Sequence, residues 1–517
     1  MGKLMGTADE SGKAGGNIAK IPFGGIRLKL PRALHRFMYV GNLQFRRGEG
    51  VGREQAGNET ARFADKLDPD TGVGLKKTID NRDHHRQQET DREINRGIWI
   101  GGKPYMWDVL FLIAQAYLAV IGLYQFSLSL FGLVRKRNIR HHPPQKSFAV
   151  LVAAHNEEAV IGALVENLLK LNYPRELYDI FVICDNCTDR TAEIVRGYPG
   201  VYAMERHNPY QRGKGHAIEW MLKQLWNMPR SYDAVVMFDA DNLVDPDFLQ
   251  HMNNDLCEGH KVIQGYLDTK NPRDSWITAA YGITYWFCNR MWQLPRKQLG
   301  MANFLGGTGM CFDAALLKEM GWGATSLVED LEFSVRCIRR GINPVLNYEA
   351  KVYDEKPITL MASARQRLRW MQGHFTVARR YFFSLLWSGL KERSAAKLDT
   401  AIYTITVYHV MLGALLTVIL WIDQARPEPA LDSLYAHLPW WVTAAVIFLS
   451  CAQFPVAMAL ERVRSWKMYA MLLLFPVFLL TWWPITIYAF FTQNNRTWSH
   501  TRHTRVLRLE ELRGKQV

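Results

Sequence analysis

The chain is 517 residues long, with 48% hydrophobic, 12% aromatic and 22% charged residues. That balance excludes a disordered, collagen-like or disulfide-scaffold protein, and seven cysteines, an odd count, point to a reducing environment around most of the chain. The formal charge is 63 − 49 = +14, which favours an anionic partner: nucleic acid, phospholipid headgroups or a phosphorylated substrate.

Residues 1–104 are basic, rich in Gly, Arg, Asp and Asn, and show little apolar periodicity, so a flexible N-terminal region is expected. Only 26–40 (IRLKLPRALHRFMYV) reads as amphipathic, and Pro31 interrupts it. The opening MGKLMGTADESGK has no apolar core, so no cleaved leader is expected. Four stretches, 106–134, 401–422, 440–460 and 468–492, are near or above the ~20 apolar residues that a bilayer span needs. Trp and Tyr gather at their ends, among them Tyr105, Trp107, Trp421, Trp440 and Trp441.

Arg135, Lys136, Arg137, Arg140 and Lys146 follow the first span, and Lys391, Arg393 and Lys397 precede the second. The positive-inside rule then makes the block between them cytoplasmic. A full crossing by 468–492 would put the basic tail, 493–517, outside. Pro476 and Pro484 allow instead a re-entrant or interfacial segment, with the tail inside.

Between the spans, residues 147–373 alternate short apolar runs with helical periods: 148–154, then 157–171, then 179–184, and later 234–238. That pattern predicts an α/β domain with a parallel-type sheet, whose ligand site lies at the carboxyl ends of the strands. Residues 374–397 read as an interfacial amphipathic helix. The strand ends are acidic or polar: His155-Asn156-Glu157-Glu158, Asp185-Asn186-Cys187-Thr188-Asp189 and Asp239-Ala240-Asp241. Strand alternation puts Asp239 and Asp241 on one face. Two carboxylates there repel unless a cation lies between them or one is protonated, which points to Mg²⁺ or Mn²⁺ with a bound phosphate.

Arg212-Gly213-Lys214-Gly215-His216 is a basic, glycine-flanked loop opening a helix and suits a phosphate. Glu329-Asp330 stands at a helix start, where the dipole favours carboxylates. Gln366, Arg369 and Trp370 share one helical face. Cys184-x-x-Cys187 has no second pair, so packing rather than zinc is expected there.

This ordered set, Asn156-Glu157-Glu158, Asp185…Asp189, Asp239-Ala240-Asp241, Glu329-Asp330 and Gln366-x-x-Arg369-Trp370, resembles the family 2 glycosyltransferases, in particular the membrane-embedded branch of cellulose, chitin, hyaluronan and poly-N-acetylglucosamine synthases. The resemblance implies a GT-A fold (Rossmann-like) on a small transmembrane helical bundle with interfacial helices, and a metal-dependent, inverting transfer from a nucleotide-diphosphate sugar, commonly UDP-linked. Asn156, Glu158 and Asp185 would bind the nucleotide, with Asp239 near the ribose and diphosphate and Asp241 on the metal. Lys214, Gln366 and Arg369 would hold the diphosphate. Asp330 would be the general base beside Glu329, and Trp370 would stack on the acceptor sugar. Gly307 and Thr308, in Phe304-Leu305-Gly306-Gly307-Thr308-Gly309, would lie on the acceptor side. Trp498-Ser499-His500-Thr501 is similar to a C-terminal element that closes the site.

The acceptor expected from the resemblance is a growing polysaccharide, with coupling to export left open; the alternative is single addition to a membrane lipid. Membrane lipids are expected partners and nucleic acid is not.

Overall fold

The computed structural model describes residues 106–136, 140–323, 326–427, 431–495, 503 and 505–516. The N-terminal region, with its 26–40 stretch, and Trp498 to Thr501 lie outside the described residues.

The frame of the domain is one mixed sheet of β1 (Phe148–Ala154), β2 (Tyr178–Asp185), β3 (Val201–Arg206), β4 (Ala234–Asp239), β5 (Leu243–Val244), β6 (Val262–Thr269), β7 (Met310–Asp313) and β8 (Val345–Asp354), in the order β3-β2-β1-β4-β7-β6-β8-β5. β1 to β4 are parallel, as the buried apolar runs predict. β7 departs from the expected parallel pattern: it runs antiparallel to both β4 and β6. The glycine-rich loop 304–309 turns the chain into it, and the direction of a four-residue strand leaves no mark on hydrophobic periodicity. The central strands alternate between two cores. Phe148, Val150 and Val152 enter one; Ala149 and Leu151 enter the other, beside Trp322 and Phe333. With both faces covered, only the strand ends are open to a ligand.

The helices that position the site are α1 (Met106–Ser129), α2 (Lys214–Leu225), α3 (Trp276–Phe287), which runs on into a π-helical turn at Cys288–Gln293, α4 (Glu329–Arg339), α5 (Leu360–Glu392), α6 (Ala395–Thr404), α7 (Thr406–Gln424), α8 (Trp440–Leu460), α9 (Phe475–Leu480), α10 (Trp482–Thr492) and α11 (Leu509–Gln516). α5 carries the Gln366–Trp370 face and most of the expected 374–397 helix as one unbroken element of 33 residues, but that helix ends at Glu392 rather than 397, and residues 395–397 open α6. Thr359 caps its start by accepting from the Ala362 amide at 3.3 Å, and Arg393, at φ 52°, ends it.

Four helices among the described residues are long and apolar enough to cross a membrane: Met106–Gly132, Thr406–Gln424, Trp440–Leu460 and Phe475–Thr492. The last is broken into α9 and α10 and lies along α5. Arg367 donates to the Thr481 hydroxyl at 2.8 Å, Gln372 to the Thr492 hydroxyl at 3.0 Å, and Phe478 packs on Tyr281 of α3. Both ends of this segment therefore touch the side of the α/β domain. The tail then returns to the domain: Leu507, Leu509 and Leu512 pack with Leu243 of β5 and Tyr353 of β8.

Two buried polar clusters fasten the helices to the domain. Arg296 grips Asp399 of α6 with two hydrogen bonds of 2.8 and 2.9 Å, and Tyr124 of α1 adds a third at 2.7 Å. Glu461, just past α8, accepts from Tyr266 at 2.8 Å and from Tyr348, and pairs with Arg290 at 3.5 Å. A buried charge needs such partners to persist.

Candidate active site

A cavity of about 770 Å³ opens over the carboxyl ends of β1, β2, β4 and β8 and reaches α3, α4 and α5. Asp185, at the end of β2, is buried on its wall and accepts from Arg206 of β3. Asp239 ends β4. Its carboxylate takes Lys214 Nζ, which also donates to the Gly307 carbonyl, so the first residue of α2 joins the strand end to the glycine-rich loop. The Asp239 amide donates to the Thr308 hydroxyl at 3.1 Å, and that hydroxyl donates to Asn242. Gly307 and Thr308 thus line the cavity, with the Thr308 side chain engaged in holding the β4 turn.

Asp241 accepts from the Glu355 amide at 2.7 Å, and its carbonyl accepts from Lys270 Nζ at 2.7 Å. Burial opposes its charge, but His503, Lys270 and the Glu355 amide outweigh burial and hold its carboxyl below the ordinary range. His503 comes from the tail. Its Nδ1 lies 2.9 Å from Glu157, and despite burial Asp241 and Glu157 hold its pKa up, at about 10. Asp354, ending β8, pairs with Lys356 through Oδ2 at 2.5 Å. Its Oδ1 is buried without a hydrogen-bond partner among the described residues, and burial raises its pKa to about 6.

The opposite wall begins at α4, whose first turn carries Glu329, Asp330 and Glu332, a placement the helix dipole favours. Burial first, and then the neighbouring Glu329 charge, push the Asp330 carboxyl up to about 7. Glu329 is raised too, chiefly by burial, with Lys214 opposing. Lys214 itself stays above its ordinary value: burial disfavours the ammonium, but Asp239, Glu329 and Asp330 overcome it. Two carboxyls and one ammonium therefore share a desolvated corner, the setting in which a carboxyl becomes a base near neutral pH.

Gln366, Arg369 and Trp370 all line the cavity from α5. Gln366 accepts from the Tyr281 hydroxyl at 3.1 Å, and Trp370 meets the Tyr281 ring edge-on with centroids 6.3 Å apart. Their neighbour Arg367 points the other way and is buried beneath the Phe478 and Trp482 rings.

Asn156 and Glu158 do not join this set. Asn156, at φ 55°, accepts from the Thr188 amide at 2.7 Å, and Glu158 accepts from the Arg190 amide at 3.1 Å, so both lace the β1 loop to the β2 loop. The left-handed turn at Asn156 leaves Glu157 as the acid of that cluster on the cavity wall. Sequence reasoning also missed Asp354, Lys356, Lys270 and His503. Asp354-Glu355-Lys356 carries the same acidic strand-end signal as the other strands; His503 has no local signal, since it meets Glu157 across 346 residues.

Asp239, Asp241 and Asp354 all line the cavity, and their carboxylates are the hard oxygen donors that Mg²⁺ or Mn²⁺ takes. Among the described residues no group of three His, Cys, Asp or Glu could hold an ion by itself. A divalent ion here fits only if substrate phosphate oxygens complete its shell, as is usual for Mg²⁺ at phosphoryl substrates.

Residues 143–373 match the family model described as "Glycosyltransferase like family 2". Over 405 residues the chain is 22% identical to the probable glycosyltransferase YdaM of Bacillus subtilis, covering 75% of this chain and 94% of that protein. It is 28% identical to the beta-monoglucosyldiacylglycerol synthase of a Nostoc species, covering 54% of this chain and 59% of that one. It is also 28% identical to the poly-beta-1,6-N-acetyl-D-glucosamine synthase of Staphylococcus aureus, covering 51% of this chain and 63% of that one. The match thus spans about three-fifths of each of the last two relatives.

Proposed function

We propose, from the premise that residues 143–373 form a family 2 glycosyltransferase domain of GT-A type, that this enzyme moves a sugar with inversion from a UDP-linked donor onto a growing polysaccharide at the membrane. The observation that carries this reading is Asp330: a carboxyl raised to about 7, lining the same cavity as Lys214, Asp239 and Asp241 on one side and Gln366, Arg369 and Trp370 on the other.

A sugar hydroxyl is far too weak an acid to ionise at neutral pH, so a carboxylate must take its proton as the glycosidic bond forms. Asp330 has the affinity for that task. Lys214 and Arg369 bring positive charge to the departing diphosphate, where it is worth most in a desolvated site. Asp239 and Asp241 would hold the divalent ion, which when bound neutralises diphosphate charge. Asp185, steadied by Arg206, faces the nucleoside end. Trp370 and Tyr281 offer apolar ring surface to a pyranose.

Both ends of the α9–α10 segment and the 505–512 tail rest on the α/β domain, which supports three crossings by α1, α7 and α8, an interfacial α9–α10, and a tail on the cytoplasmic side with the catalytic domain.

The test is to incubate detergent-purified protein with a panel of labelled nucleotide sugars and Mg²⁺ or Mn²⁺. UDP release with a ladder of lengthening product supports the reading. Products one sugar long on extracted lipid would replace polysaccharide synthesis with lipid glycosylation, and no release from any donor would refute both.

A further inference from the structure

A second, apolar groove of about 490 Å³ opens between α1, α5 and the junction of α6 with α7. Phe382, Tyr408 and Leu412 line it, together with Tyr117 and His409, which are hydrogen-bonded to each other at 2.6 Å. Phe383, 78% exposed, stands at its lip. Trp387 and Leu390, 72% and 58% exposed, continue the same α5 face at spacings of four and seven residues. That stripe on an otherwise basic helix is the face an interfacial helix buries in lipid. One turn before Phe383, Arg379 brings a guanidinium to the groove and has no ion-pair partner among the described residues. Apolar walls with a guanidinium at the rim that no described residue pairs are complementary to a lipid that carries a phosphate.

We propose that this groove is a binding site for an anionic glycerophospholipid of the leaflet facing the catalytic domain, with one acyl chain along Phe382 and Leu412 and the phosphate on Arg379. The lipid is a bound component that the enzyme does not glycosylate. The proposal rests on the membrane placement given above, but not on the identity of donor or acceptor. Its consequence for the active site follows from a shared wall. His374 and Tyr403 line the catalytic cavity, joined by a hydrogen bond of 3.1 Å from the His374 ring to the Tyr403 carbonyl. Ala378, one turn beyond His374, and Ile405, two residues beyond Tyr403, line the groove. A lipid seated there fills the back of the wall whose front faces the acceptor side, so occupancy steadies α5 against α6 where Trp370 is presented.

The full chain, delipidated in detergent, is returned to phosphatidylcholine with or without phosphatidylglycerol, and bound lipid is read by native mass spectrometry. Wild type retains phosphatidylglycerol in preference to phosphatidylcholine, and its turnover rises when that lipid is added. Arg379→Gln weakens the preference about fivefold, the contribution of one basic side chain at an anionic surface. Leu412→Trp, which fills the groove and leaves the charge alone, lowers retention of either lipid. Equal retention of phosphatidylglycerol by wild type and both variants overturns the proposal. So does recovery of the bound lipid in glycosylated form, which would make the groove an acceptor site. Lipid retention is read without turnover, so it separates this proposal from a failure of the catalytic reading.

Discussion

Gly373 of α5 lies against Val328, the residue that precedes Glu329 and Asp330: a Cβ at position 373 would stand 2.9 Å from the Val328 amide nitrogen. The helix that presents Gln366, Arg369 and Trp370 therefore touches, backbone to backbone, the turn that presents Asp330. Gly373→Ala must push that turn away. Because a displacement of about 1 Å can cost on the order of 100-fold in rate, the variant is expected to lose kcat by at least about tenfold, with a lowered apparent Tm from the overpacking. A kcat within twofold of wild type would show that the contact does not set the base.

The raised pKa of Asp330 fixes the direction of the pH dependence. A base works only when deprotonated, so kcat falls as pH drops through about 7 and levels off above it. Glu329→Gln removes the neighbouring charge that raises Asp330, so its acid limb moves to lower pH. A limb that stays in place assigns the titration to another group.

Lys214 joins Asp239 to Gly307 at the point where diphosphate charge would gather. Lys214→Ala is expected to weaken nucleotide binding by about 10- to 100-fold, the range for a lost hydrogen bond to a charged group, measured by calorimetry with UDP. Asp241→Ala should in addition flatten the dependence of turnover on Mn²⁺ or Mg²⁺, which chelation abolishes and readdition restores in wild type. Metal dependence that survives in Asp241→Ala removes that residue from the ligand set.

The ion pair between Arg296 and Asp399 is almost wholly buried, with side-chain exposures of 0% and 1%. Asp399→Ala leaves the guanidinium uncompensated and is expected to cost about 3–5 kcal/mol. The readout is a clear fall in apparent Tm of the detergent-solubilised protein. Unchanged melting would mean that water or Gln125, which accepts from Arg296 at 3.4 Å, replaces the carboxylate.

Much of this site was legible before any coordinates, for identifiable reasons. Asp185, Asp239 and Asp241 reach the cavity because buried parallel strands deliver their ends to one edge. Gln366, Arg369 and Trp370 share it because helical spacing sets their common face. Asn156 and Glu158 lie off the cavity lining because the chain turns left-handed immediately after β1, and a turn reassigns neighbouring side chains without altering the motif. The reversed β7 and the return of His503 to Glu157 are tertiary outcomes with no periodic signature. The Asp354-Glu355-Lys356 end of β8 carries the same acidic signal, but β8 (VLNYEAKVYD) is interrupted by polar residues and lacks the continuous apolar run that marks β1, β2 and β4.

Asp330→Asn tests the centre of the account most directly, because it keeps the shape of the side chain and removes its basicity. UDP and donor binding, measured by calorimetry, should stay within about twofold of wild type, while sugar transfer falls by at least about 100-fold, the lower end of what positioned acid–base catalysis contributes. Transfer at a wild-type rate by a folded, donor-binding Asp330→Asn enzyme would contradict it.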